Sequence, residues 1–204
     1  MENIISKRIH DFTKQVDIIQ TVLVFLIALL VPTFLGQIIQ KVFGATSVIT
    51  SNSQLIVGSI VNAALIVTAI NLKGWKILGV VTMPSISTIF GGYVFGTSST
   101  YLTWMIPAIW IGNFILVFSF KYFMINKEKN YFLAAVIGIV LKVLVIAGGF
   151  QILRAFGIFP DKLITNLQTA MSTTQLITAC IGTVIAFVIY KIEDVSINKK
   201  ALSK

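Results

Sequence analysis

The stretch Tyr131–Leu153, YFLAAVIGIVLKVLVIAGGFQIL, runs for twenty-three residues with one charge, Lys142. As a helix rising 1.5 Å per residue it is roughly 34 Å long, enough to cross a hydrocarbon core of about 30 Å. A soluble fold has no use for so long an apolar run, and the rest of the chain repeats the pattern. The 204 residues are 56% hydrophobic and only 11% charged, with a mean hydropathy of +0.93. Comparable apolar segments lie at Ile18–Ile39, Gln54–Leu72, Trp75–Gly96, Tyr101–Phe120 and Leu167–Tyr190. The expected fold is all-α, a polytopic membrane protein with a bundle of six transmembrane helices. No polar linker divides it, so residues 18–192 form one transmembrane domain. The third segment is interrupted by MPSIS around Pro84, which predicts a broken helix or a re-entrant segment.

Charge sets the expected orientation. Six spans leave both termini on one side, and the segments on that side hold twelve of the sixteen Lys and Arg residues. The other side holds Lys41, Arg154 and Lys162. By the positive-inside rule both termini are cytoplasmic and the chain sits in the cell membrane. The basic excess flanks spans, so nucleic-acid binding is not expected. Residues 193–204 read as a basic cytoplasmic tail. Residues 1–17 carry acids and no cleavage pattern, so they do not read as a cleavable signal. Ile5, Ile9, Phe12 and Val16 recur at helical spacing, which predicts an amphipathic cytoplasmic helix on the lipid bilayer surface.

Lys142 lies about 16 Å into its span, near mid-membrane. An ammonium group there costs on the order of 3 kcal/mol on insertion scales. It shares a helix stripe with Ala135, Gly138, Val145 and Gly149, mostly small residues that let neighbouring helices approach. Lys142 is therefore expected to face inward. No acid lies in any expected span, which leaves an anionic ligand group, a set of backbone carbonyls, or a neutral amine. Trp110 and Asn113 share a face of the fourth span, with Trp110 too deep for an interfacial belt. Asn62 and Gln175 lie in the outer half of their spans, where each reads as a ligand contact or as interhelical glue. Tyr93 belongs to the outer loop GGYVFGTSST (Gly91–Thr100), read as a lid or a plain hairpin. These polar residues sit at mid-depth or above, a skew that an outward-facing cavity explains.

Other chemistry lacks its parts. One Cys (Cys180) and one His (His10) rule out a disulfide within the chain and make a metal site improbable, and no P-loop, nucleophile elbow or intramembrane carboxylate pair is present. The chain is expected to be neither an enzyme nor a holder of metal or other cofactor. A membrane-embedded enzyme and a structural or assembly subunit stand as the alternatives to a ligand-capturing protein.

Two local stretches, IALLVPTFLGQ (Ile27–Gln37) and TMPSISTIFGGYVFG (Thr82–Gly96), and the six-span plan over the whole chain resemble the substrate-binding (S) components of energy-coupling-factor (ECF) transporters. The resemblance implies capture of a vitamin-like small-molecule substrate from outside. It also implies partnership with a membrane T component and two cytoplasmic ATPases. The family's Ala-x-x-x-Ala contact for the T component has Ala28 and Pro32 as its nearest counterpart here. The expected pocket combines Lys142, Asn113, Trp110, Gln175, Asn62 and Tyr93, with Lys142 meeting an anionic or strongly polar group.

Overall fold

A computed structural model describes residues 2–9, 12–44, 46–91 and 99–202. Every secondary-structure element among them is helical. α1 comprises Lys14–Leu30 and Gly36–Phe43, joined by a π-helical segment, Val31–Leu35. α2 is Ser53–Asn71, α3 is Lys76–Gly91, and α4 is Ser99–Ser119, continued by a π segment, Phe120–Asn126. α5 is Tyr131–Ala155, the short α6 is Asp161–Met171, and α7 is Thr173–Leu202. Five helical stretches among the described residues have the length and apolarity to cross a membrane, contributed by α1, α2, α4, α5 and α6–α7.

The expected third span is α3. Its 16 described residues run through Pro84 without a break, so MPSIS does not interrupt the helix. Pro84 has no N–H to give to the preceding turn. Side chains from α4 bond the carbonyls around that turn: Asn113 Nδ2 donates to Val81 O at 3.2 Å and Trp110 Nε1 to Thr82 O at 3.2 Å. Pro32 acts on α1 in the same way, and the helix widens to π geometry at that point. Thr33 Oγ1 donates to Ser87 O at 3.1 Å, and Ser87 Oγ bonds Leu29 O. α1 and α3 are thus tied together near the proline of each.

α2 is the central helix: 67% of its most apolar window is buried, against 28–39% for the other four. α7 packs closely along it because of two glycines. A Cβ on Gly182 would lie 2.6 Å from Asn62 Cβ and 2.8 Å from Ser59 O, and one on Gly58 would lie 2.9 Å from Thr178 Cγ2. α4 and α5 approach in the same way, with a Gly149 Cβ landing 2.6 Å from Ala108 Cβ. α6 is amphipathic and closes one end of the bundle, with Leu167, Ala170 and Met171 packed on Leu102, Met105 and Phe150.

The N-terminal segment departs from expectation. It is helical over Glu2–Ile5 and again from Lys14, where α1 begins, and Thr13, the N-cap of α1, is extended. Ile5 is buried and Ile9 packs on the core, so these side chains seal the bundle instead of lying on a membrane surface. Ile9 N–H donates to Ile70 O at 3.3 Å and Gly74 N–H to Ile5 O at 2.8 Å. Arg8 pairs with Asp17 at 2.6 Å, and Lys76 bonds the same carboxylate. Lys121 is fully buried, with its ammonium on Lys7 O and Leu72 O. Counted from sequence as a loop charge, it instead clips the N-terminal segment to the α2–α3 turn. At the other terminus α7 runs on through the segment expected as a tail, as far as Leu202.

Candidate functional site

A cavity of about 80 Å³ lies at the end of the bundle away from both termini. It is built from the π turn of α1 at Pro32, the first half of α2, the proline turn of α3, the middle of α4 and α5, and the start of α7. Lys142, Asn62, Asn113 and Gln175 line it, so four of the six expected site residues come together. Among the described residues, no acid lines it.

Lys142 is buried on α5 and its Nζ donates to Asn62 Oδ1 on α2. Asn62 is oriented by its other amide atom, which donates to Gly58 O at 2.8 Å and Thr178 Oγ1 at 3.2 Å. The acceptor oxygen is therefore fixed toward Lys142. An ammonium group has three donors, and Asn62 is the sole acceptor for Lys142 among the described residues. The remaining N–H groups lie in the cavity wall. Asn113 presents a similar imbalance: its Nδ2 is used on Val81 O, and no donor among the described residues meets its Oδ1. Donor and acceptor thus sit in one buried wall.

Gln175 Nε2 and Gln54 Nε2 both donate to Ala170 O at 3.3 Å, pinning the carbonyl freed where α6 gives way to α7. Trp110 does not line the cavity. Its indole N–H donates to Ser85 Oγ at 2.7 Å, and Ser85 lines the wall in its place. Trp110 therefore acts behind the site by positioning α3. Tyr93, like Gly92 and Gly96, lies outside the described residues. Ala28 is 1% exposed and Pro32 lines the cavity, so both face the interior of this conformation. The outer face of α1 is formed by Ile19, Leu23, Leu26 and Phe34.

Sequence reading missed Gln54, Thr178, Ser85 and Thr88 as wall residues. A signal existed for the first two. Gln54, Gly58 and Asn62 repeat every four residues along α2, and Thr178 follows Gln175 by three on α7, so each set shares a helix face. Ser85 and Thr88 were hidden by the expectation that Pro84 breaks the helix.

Compared with family models, curated proteins and solved structures, the chain returns no match.

Proposed function

We propose that this chain is the substrate-capture subunit of an ECF-type uptake transporter. In this reading six spans cross the cell membrane, both termini are cytoplasmic, and a vitamin-like anionic small molecule binds in the cavity from outside. The observation that carries the reading is the buried Nζ of Lys142, held by Asn62 in a cavity wall that has no acid among the described residues. An uncompensated cation in a low-dielectric wall favours an anionic guest. Asn113 Oδ1 adds an acceptor for an N–H or O–H group elsewhere on such a guest. The topology is supported by Lys7 Nζ bonding Asn126 Oδ1 at 3.0 Å and Asn71 bonding Glu193, which brings residues 7, 71, 126 and 193 to one end of the bundle. Docking to a T component and two ATPases follows from the same reading. It would use the exposed apolar face of α1, because Ala28 and Pro32 are covered.

A cavity of about 80 Å³ is smaller than the roughly 300 Å³ at which small-molecule sites begin. A vitamin-sized guest must therefore displace wall side chains on entry. That size also favours the second reading, a structural subunit in which Lys142–Asn62 simply joins α5 to α2. Mass spectrometry of small molecules retained after mild purification separates the two. Capture predicts a single anionic compound, with binding weakened at least about tenfold in Lys142→Ala, as loss of a charge-assisted hydrogen bond implies. Unchanged binding by that variant would sink the role given to Lys142. Stable co-purification with an unrelated complex and no bound compound would favour the structural subunit.

A further inference from the structure

A second cavity, of about 190 Å³, lies at the opposite end of the bundle, between α1 and α7 and backed by α2. Ile27, Ile60, Val67 and Ile185 are among its apolar walls, and Gln20, Asn71 and Glu193 close its terminal end. Glu193 receives both bonds of Asn71 Nδ2, at 3.0 and 2.8 Å, and a longer one from Gln20 Nε2 at 3.5 Å. Those amides donate to the carboxylate but do not neutralise it. No Lys or Arg lines the cavity, and Glu193 forms no ion pair among the described residues. Gln20 Oε1 and Asn71 Oδ1 are buried and accept no hydrogen bond. Each such oxygen is destabilising while it lacks a donor.

One carboxylate and two donorless carbonyl oxygens call for a cation that also donates several hydrogen bonds. A primary ammonium, with three N–H groups, is that group. The shape of the cavity says what is attached to it. From Gln20 to Ile27 is about 10 Å along α1, and the walls become apolar over that distance, away from the polar end. Leu23 is 55% exposed and Ile185 37%, which leaves the side of the slot between α1 and α7 open to surrounding lipid. A polar end at the bundle terminus followed by an apolar, laterally open slot has the same polarity as a phospholipid in the adjoining leaflet. We infer that this slot binds a phospholipid with a primary ammonium headgroup, of the ethanolamine type, through Glu193, Gln20 and Asn71.

The inference rests on the membrane-spanning reading and is independent of substrate capture. The test places the full chain in nanodiscs containing equal amounts of phosphatidylethanolamine, phosphatidylcholine and phosphatidylglycerol, then counts retained lipids by native mass spectrometry without substrate. One phosphatidylethanolamine per chain is expected, favoured about tenfold over phosphatidylcholine, whose quaternary ammonium has no N–H to donate. Glu193→Gln should abolish that preference. Ile60→Trp, which fills the apolar wall and leaves the carboxylate, should reduce retention of the lipid. Equal retention of the choline and ethanolamine lipids by the unmodified chain overturns the inference without reference to any variant. So does equal thermal stabilisation of lipid-depleted protein by free ethanolamine or sodium chloride, which would make the polar end a simple cation site. A reversed topology would appear in accessibility labelling and would leave the lipid preference as measured, so the two failures are distinguishable.

Discussion

Lys142 meets a neutral amide where an acid would be the ordinary partner, and this decides how its neighbours respond to substitution. Asn62→Leu leaves the ammonium buried with no acceptor, at a cost of about 1–3 kcal/mol or more. Lys142→Met keeps the volume, removes the charge, and should be neutral or stabilising, as replacement of buried charges often is. The double variant should then be more stable than Asn62→Leu alone. Thermal unfolding in detergent of the four proteins of this cycle reads the coupling, and additive losses would mean the bond contributes nothing. Both residues were recognisable from sequence as polar groups in apolar runs. Their pairing was not, because they are eighty positions apart and helical periodicity carries no information about which faces of separate helices meet. Lys121 shows the converse. Its neighbours mark it as a span-flanking charge, yet it bonds two carbonyls in the core, the arrangement that sequence reading had offered for Lys142.

At the scale of the helix, close approach and repaired backbone decide where the site can form. Gly182 lets α7 lie against α2 at Asn62, so Gly182→Ala forces the helices apart or Asn62 out of place. We expect a loss of about 1–3 kcal/mol, typical of overpacking, together with weakened binding. Gly148→Ala is the control, since nothing lies within 4 Å of its added Cβ, and its unfolding temperature should not fall. Lys121→Met should release the N-terminal segment from the α2–α3 turn while leaving the spans folded. Limited proteolysis should then cut between residues 6 and 13 faster than in the unmodified chain, and an unchanged rate would show that Ile5 and Ile9 hold the segment unaided. Helix positions were readable because long apolar runs have one economical solution in lipid. The proline turns were not, since the side chains that rescue Pro84 come from α4, and no local rule about proline includes Trp110 and Asn113.

For the whole molecule the number of crossings decides which side each connection faces. Five helical stretches pass on length and apolarity, and α3 is the remaining candidate. If α3 did not cross, every later connection would change sides, and Asn126 and Glu193 would lie across the membrane from Lys7 and Asn71. Their hydrogen bonds place them together, as the proposed six crossings require. Cysteine accessibility tests it on a Cys180→Ala background, because the single native cysteine is exposed. Ser51→Cys, Lys127→Cys and Ser196→Cys occupy exposed positions on three successive parts of the chain. With six crossings, a membrane-impermeant maleimide on intact cells labels Ser51→Cys alone, and the other two react only after permeabilisation. With five, all three react from outside. Full inversion, with Lys127→Cys and Ser196→Cys labelled and Ser51→Cys protected, would place the Lys142 cavity on the cytoplasmic side. Uptake would then have no entry point there, however well the isolated protein bound an anion.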